Sequence, residues 1–492
     1  MNKLYDIVLK TQENRKLLYF KGNADITEQG LHIGAGDAVD FLTYFNSFSI
    51  SKWKEYTTIK KLQINVKVTG CAELEIYTIG KNGKVLINQQ VRGSFGVCFD
   101  VENISGEILG IKVKANIDTI IHKIRYLGEF NEWKPKKIGV VICTYKREKY
   151  VKATIEKLLK FSKKNPWLTT LVVDNGSTLK KCKTEYLCII HNPNYGGSGG
   201  FTRGIIENLK IKINDYVLLM DDDIDLEESS LEHTYGLLCG LKGDYKDSFL
   251  SGAMLKMNTP YIQHENTAYW RKIRLHSFGK NWDLTDNQVL LNNEKIPDVD
   301  NQYGAWWYCC IPIKRIEKIG LPLPVFVKGD DMEYGIRNNR TIIHFNGIGV
   351  WHEAFENKSS ILTNYLSDRN MLIVNQYAKK CNRFTFFVAV IGRLFKRSIK
   401  FDTKAIKIFD LALNDMLKGF NYITRIPANE QIEFVYQYRN SEPIIIVVLR
   451  IFRTAVISLL KYNGLNKNYL EFRNKQLKTK EFWVEYLKKS KG

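Results

Sequence analysis

The sequence predicts an α/β protein: a mostly parallel sheet with flanking helices, preceded by a β-sandwich and followed by a helical region. Three observations carry this. From Ile138 onward, short apolar runs alternate with helical patterns, as expected when strands are buried on both faces of a parallel sheet. Before Ile138 the pattern is period-two alternation broken by turn residues, the mark of half-buried strands. Beyond about Ser359 the chain reads as mainly helical. At 492 residues it is too long for one ordinary domain. The expected division is 1–133 for the sandwich, 134–370 for the α/β domain and 371–492 for a basic helical domain.

In the first region Leu62, Ile64, Val66 and Val68 alternate with polar residues, and Leu74, Ile76 and Thr78 continue the pattern. Gly80–Gly83 supplies a turn before Val85–Ile87, and Leu109, Ile111 and Val113 mark another strand. Lys134–Lys137 reads as a linker. In the second region Gly139–Cys143 is the first buried strand. Val151, Ile155, Leu158, Leu159 and Ser162 then fall on one helical face. Leu171–Val173, Ile189–Ile190 and Tyr216–Met220 are the next strands.

Composition narrows the function. With 44% hydrophobic and 25% charged residues the chain is globular, not disordered. No stretch approaches the roughly 18 apolar residues of a membrane span; Phe384–Gly392 and Ile444–Leu449 are both too short. Met1–Lys10 offers no small-residue cleavage site, which argues against secretion, and nine irregularly spaced cysteines argue for reduced thiols in the cytoplasm. The net charge of +21 implies an anionic partner. From Met371 onward 23 Lys and Arg face 9 Asp and Glu, interleaved with large apolar residues. That pattern reads either as a membrane-surface helix or as a solvated bundle face. Nucleic acid is disfavoured, because zinc spacing, RNA-binding aromatics and a basic low-complexity tail are all missing.

Four features fall at the carboxyl ends of the α/β strands, where such sheets bind ligands. They are Cys143–Arg147, Asp174-Asn175-Gly176, the glycine-rich Asn192–Gly204, and Asp221-Asp222-Asp223. Period two puts Asp221 and Asp223 on one side of their strand. Crowded carboxylates repel and raise each other's pKa, and a hard cation such as Mn²⁺ or Mg²⁺ relieves that. The alternative is an acidic cap on a helix starting near Leu226. Four glycines in five positions, Gly196, Gly197, Gly199 and Gly200, leave amides open to an anion or sugar, or else form a flexible loop. Trp306-Trp307 is either a sugar-stacking platform or core. Asp330-Asp331 is either a helix cap or the seat of a general base. His352, after Ile348–Val350, is a candidate third metal ligand or a structural histidine.

In order along the chain, Thr43–Phe48 with Trp53, the glycine-rich stretch, Asp221–Asp223, Trp306-Trp307, Asp330-Asp331, Trp351-His352 and Ser367–Asn370 resemble the bacterial galactofuranosyltransferases of glycosyltransferase family 2. The resemblance covers about residues 35–375 and includes the sandwich. It implies a GT-A fold, Rossmann-like and mostly parallel. It also implies an inverting transfer of galactofuranose from a UDP-sugar to a glycan, lipid-linked at the inner face of the bacterial plasma membrane. Asp174 and Arg147 would hold the uridine end. Thr144, Asn175, the four glycines, Arg203, Asp221 and Asp222 would complete the donor site. Asp221, Asp223 and His352 would bind Mn²⁺ or Mg²⁺, and Asp331, with Asp330 beside it, would be the base. Trp306, Trp307, Tyr365 and Arg369 would meet the acceptor. Gly329 departs from the pattern, since a bulkier residue is expected before the Asp pair. Two other functions stay open: a family 2 enzyme using UDP-galactopyranose or dTDP-rhamnose, and a non-catalytic carbohydrate-binding protein. The long helical tail also suggests self-association, to bury its apolar face.

Overall fold

The computed structural model describes residues 1–353, 360–425, 427–438 and 440–489. The expected start of the helical region, Ser359, lies outside the described residues, as does the end of the third expected domain, 490–492.

Two antiparallel sheets built from Asn2–Phe130 face each other as a sandwich. The strand Ile59–Thr69 turns Leu62, Ile64, Val66 and Val68 inward, and Ala72–Ile79 and Ile108–Ala115 answer from the other sheet with Leu74, Ile76, Ile111 and Val113. The alternation in the sequence is thus the alternation of the pleat. The segment 134–137 does not dangle: Lys134 N–H donates to Cys239 O at 2.9 Å, and Lys137 O accepts from Asp215 N–H at 2.8 Å.

The second unit is an eight-stranded sheet. At its centre lie β1 (Ile138–Thr144), β2 (Leu168–Asp174), β3 (Leu187–His191) and β4 (Tyr216–Asp221), parallel in the order β3-β2-β1-β4. All are short and apolar, and helices cover them: α1 (Glu148–Lys164) and α2 (Gly196–Ile211). A second small sheet pairs β5 (Ile224–Leu226) with β6 (Gly349–His352), bringing Ile224 opposite His352. Between them in sequence runs α3 (Asp330–Asn338).

Helices α4 (Ile361–Val374), α5 (Arg383–Ile399), α6 (Thr403–Leu417) and α7 (Ile444–Gln476) make up most of the C-terminal part. The boundary expected at 370/371 falls inside α4, a continuous helix that packs on α6. Among the described residues no helix is long and apolar enough to cross a membrane.

Sandwich and sheet share one hydrophobic core, which runs from Leu4, Tyr44 and Trp53 to Phe345, Val350 and Trp351. Polar ties reinforce it. Tyr44 Oη donates to Ile348 O at 2.9 Å, and Ser49 Oγ donates to Glu294 at 2.7 Å. The sandwich is therefore a buttress for the strand that ends in His352.

Candidate active site

The carboxyl ends of β1, β2 and β4 and the N-termini of α2 and α3 converge on one acidic site. There Asp221 and Asp223, flanking Asp222 at the end of β4, meet His352 at the end of β6. One ligand atom from each lies within 4.8 Å of the others. His352 Nε2 stands 2.9 Å from Asp223 Oδ1 and 3.7 Å from Asp221 Oδ2. Its Nδ1 faces the Glu353 carbonyl oxygen at 2.5 Å, which can only accept. Nδ1 therefore carries a proton and Nε2 is the atom turned to the carboxylates. Burial opposes the charge on His352, but the hydrogen bond to Asp223 and the field of Asp221 outweigh it and raise its pKa. Asp221 is pushed up to about 6, first by burial and then by Asp223 and Asp331. Two carboxylates and one imidazole, crowded and short of positive charge, are the donor set that suits a hard divalent cation. The residues fit such an ion.

Asp222 points elsewhere. Its Oδ2 accepts from Thr144 Oγ at 2.7 Å, and its Oδ1 lies 3.4 Å from Arg147. Burial pushes it up to about 6 as well. Arg147 also bonds Asp223. The structure ties Arg147 and Asp174 to different partners. Asp174 is buried, and its two oxygens accept from the backbone N–H groups of Gly176 and Leu179 at 2.8 and 2.7 Å. It shapes the turn after β2, while Arg147 is a cation held over the acid cluster. Asn175 is equally engaged: it donates to Gly196 O at 2.9 Å and accepts from Asn192 at 2.8 Å, which fastens that turn to the start of α2.

The glycine-rich stretch is not a loop but the first turns of α2. Its glycines have different reasons. A Cβ at Gly200 would stand 2.1 Å from Cys143 Sγ, and one at Gly199 2.3 Å from Tyr195 Cβ. These two let the helix pack against β1 and the preceding turn. Gly196 has φ +67°, and a Cβ there would strike Phe326 O at 2.2 Å. Only Gly197 has room, its nearest neighbours being Phe201 at 3.8 Å and Asp330 Oδ2 at 3.9 Å. It faces the acidic site. Arg203 pairs with Glu207, one turn further from that site, at 2.9 Å.

Asp330 and Asp331 open α3, behind Gly329 at φ +91°. That left-handed backbone explains the departure at Gly329, because any side chain there would be strained. Asp331 Oδ1 accepts from Met332 N–H at 2.7 Å. Burial raises the pKa of both acids, and for Asp330 the charge of Asp331 adds to it. Sequence reasoning missed Glu265, which also feels Asp331 and is pushed up to about 7, mainly by burial. Its signal was weak: one glutamate in a mixed strand, Ile262–Glu265, that brings it to the site only through pairing with Ala253–Lys256.

Four expected acceptor residues are core. Trp306 and Trp307 are 5% and 7% exposed, so neither offers a stacking platform. Trp306 packs edge-on to Phe201 and Tyr334, and Trp307 Nε1 donates to Gly252 O at 2.8 Å. Tyr365 and Arg369 are fully buried; Tyr365 Oη donates to Asp415 at 2.8 Å and Arg369 Nη2 to Val325 O at 3.0 Å. Packing drew all four inward, the two tryptophans from a turn and Tyr365 and Arg369 from α4.

A parallel α/β sheet with carboxylates at the end of its fourth strand and an acid pair opening a later helix is the arrangement of the GT-A fold. Residues 139–285 match the family model described as glycosyl transferase family 2, and residues 8–123 match the one described as galactofuranosyltransferase 2 N-terminal. The chain thus carries a glycosyl transferase family 2 domain behind an N-terminal domain of that kind. It is similar to the galactofuranosyltransferase GlfT2 of Mycolicibacterium smegmatis, 26% identical over 71% of this chain and 59% of the relative. It is also similar to GlfT2 of Mycobacterium tuberculosis, 25% identical over 86% of this chain and 71% of the relative. Staphylococcus aureus TarS 1–349, solved with UDP-GlcNAc, is 14% identical with a TM-score of 0.37, over 66% of this chain and 92% of that one.

Proposed function

We propose that this glycosyltransferase is an inverting, metal-dependent enzyme that moves galactofuranose from UDP-galactofuranose to a hydroxyl of a cell-surface glycan. The observation that carries the reading is the closeness of Asp221, Asp223 and His352 to Asp330 and Asp331, near enough for their charges to be felt at Asp221 and Asp330. The donor assignment is supported by the similarity to the two galactofuranosyltransferases.

Asp221, Asp223 and His352 would hold Mn²⁺ or Mg²⁺, which when bound offsets charge on the departing diphosphate as a Lewis acid. Arg147, already over Asp222 and Asp223, adds a cation on the same side. Gly197 lets the α2 N-terminus approach the donor closely. Asp331, with its pKa raised toward neutrality, takes the proton of the attacking hydroxyl. The hydroxyl enters opposite the leaving UDP, so the anomeric centre inverts. The direct test is UDP release from UDP-galactofuranose with a lipid-linked acceptor, with and without Mn²⁺. Metal-dependent release supports the reading; turnover of UDP-galactopyranose or dTDP-rhamnose alone overturns the donor.

The C-terminal helices supply a membrane face. On α5, Phe384, Val388, Phe395 and Ile399 are exposed along one stripe; on α7, which packs beside it, Ile445, Leu449, Phe452, Val456 and Leu460 form another. Exposed Lys396, Lys400, Arg453 and Lys461 lie among them. Apolar stripes set among lysine and arginine match an anionic bilayer surface, a fitting place to meet a lipid-linked acceptor. Sedimentation with anionic vesicles that falls as salt rises supports this. Dimerisation through this face without vesicle binding overturns it.

A further inference from the structure

Asn370 is 1% exposed and does not touch the acid cluster. Its Nδ2 stands at hydrogen-bond distance from three carbonyl oxygens, Val325 at 3.0 Å, Val327 at 2.8 Å and Lys328 at 2.8 Å. Its Oδ1 accepts from Arg369 Nε at 2.9 Å. The segment it collects has an unusual backbone. Phe326, Lys328 and Gly329 have φ of +74°, +68° and +91°. Two of the three are not glycine, and such residues persist only where their surroundings hold them. The next residues are Asp330 and Asp331.

The opposite side of the segment is held by α2. Ser198 N–H donates to Phe326 O at 3.0 Å, and Ser198 Oγ donates to Leu323 O. Gly196 permits this approach, since a Cβ there would strike Phe326 O. The chain before the acid pair is thus gripped between the donor-side helix α2 and α4. Helix α4 is in turn fastened to the C-terminal helices by Asp368 with Arg397 and by Tyr365 with Asp415.

We propose that Asn370 is a positioning residue for the transfer: its amide holds residues 325–328, with Phe326 and Lys328 in the left-handed conformation, and so aims Asp330 and Asp331 toward the Asp221 cluster. This rests on the reading of Asp331 as the base. Without the amide, Val327 O and Lys328 O lose their donor, Val325 O keeps only Arg369 among side-chain donors, and the segment relaxes toward ordinary φ values, swinging the start of α3. Donor and metal binding, which use other residues, stay as they are.

The test compares the full chain with Asn370→Asp and Asn370→Ala, measuring kcat and KM for UDP-galactofuranose, UDP binding with Mn²⁺, and thermal unfolding. Asn370→Asp keeps the shape and removes the donor, so it separates hydrogen bonding from packing. Both variants are expected to lose kcat by about 10- to 100-fold, the scale of an ångström's misplacement, with KM and UDP binding within about twofold. Should Asn370→Ala fail to fold, Asn370→Asp together with Asn370→Ser, which restores one donor and part of kcat, carries the test. Wild-type kcat in Asn370→Asp would overturn the inference, as would UDP binding lost in step with kcat. Lack of turnover by the unaltered chain with every nucleotide sugar would overturn the reading of Asp331 and the inference with it.

Discussion

The guanidinium of Arg15, from the N-terminal sandwich, lies 3.7 Å from the centre of the Trp351 ring, one residue before the candidate ligand His352. The same guanidinium bonds Asp225 at 2.7 Å, and Asp225 pairs with Trp351 across β5 and β6. Lys157 of α1 holds the other Asp225 oxygen at 2.8 Å. Removing the cation leaves Trp351 uncovered and Asp225 with one partner fewer. Arg15→Leu should weaken apparent Mn²⁺ affinity about 10-fold, at the low end for residues behind a metal ligand, while thermal unfolding moves little. Mn²⁺ titration of UDP binding measures this. Unchanged affinity would show that the sandwich does not support the ligand strand.

The two acids opening α3 should separate on substitution. Asp331→Asn removes the proton acceptor and should lower kcat about 10²- to 10⁴-fold, the range for general base catalysis, with UDP and Mn²⁺ binding intact. Asp330→Asn keeps that base and, because Asp330 does not itself take the proton, should cost less. It also removes a neighbour whose charge is coupled to Asp331. Equal losses in both would deny Asp331 its separate role.

The glycines of α2 give a steric prediction with opposite signs for stability and binding. Gly200→Ala places a methyl 2.1 Å from Cys143 Sγ, between helix and strand, and should destabilise the fold by about 1–3 kcal/mol. Gly197→Ala has 3.8 Å of clearance and a helical position, so thermal unfolding should stay the same or rise slightly. Its methyl projects toward Asp330, and KM for the donor should rise. Melting curves and donor titration on the two variants read both effects.

Much of this was legible because local rules and tertiary structure agree. The strands of the sheet announce themselves by apolar runs, and Asp221, Asp223 and His352 each follow one. What was not legible depends on neighbours distant in sequence. Trp306 and Trp307 look like a sugar platform until Phe201, Tyr334 and Gly252 close over them. Tyr365 and Arg369 belong to a motif whose order is readable, but their direction is set by α6 and by the Val325 carbonyl. The glycines of α2 read as open amides, although two of them are spaces for Cys143 and Tyr195. Glu265 had no local pattern at all, because strand pairing alone carries it to Asp331.

Glu294 gives a prediction for pH. It is 4% exposed, and Ser49 Oγ and Ser51 Oγ of the sandwich donate to its oxygens at 2.7 and 3.3 Å. Asn346 Nδ2, from the catalytic side, donates at 2.7 Å. Burial pushes its pKa from 4.5 to about 7, against the lowering effects of Ser49, Lys52, Asn346 and Ser51. The folded state therefore favours the protonated form. The stability it contributes is fully present below the unfolded value and is lost as pH rises through about 7. By linkage the loss is on the order of 3 kcal/mol for a group so buried. Other buried acids titrate in the same window, so the informative quantity is the stability of the wild type minus that of Glu294→Gln. The glutamine mimics the protonated acid and has no titration of its own. Denaturant unfolding between pH 4 and pH 8.5 should show the wild type losing stability relative to the variant as pH rises from about 4.5, and levelling off above about 7, at the joint between sandwich and catalytic domain. A difference that stays flat would mean that Glu294 remains in one protonation state throughout, its charge compensated by Lys52 and its hydrogen-bond donors.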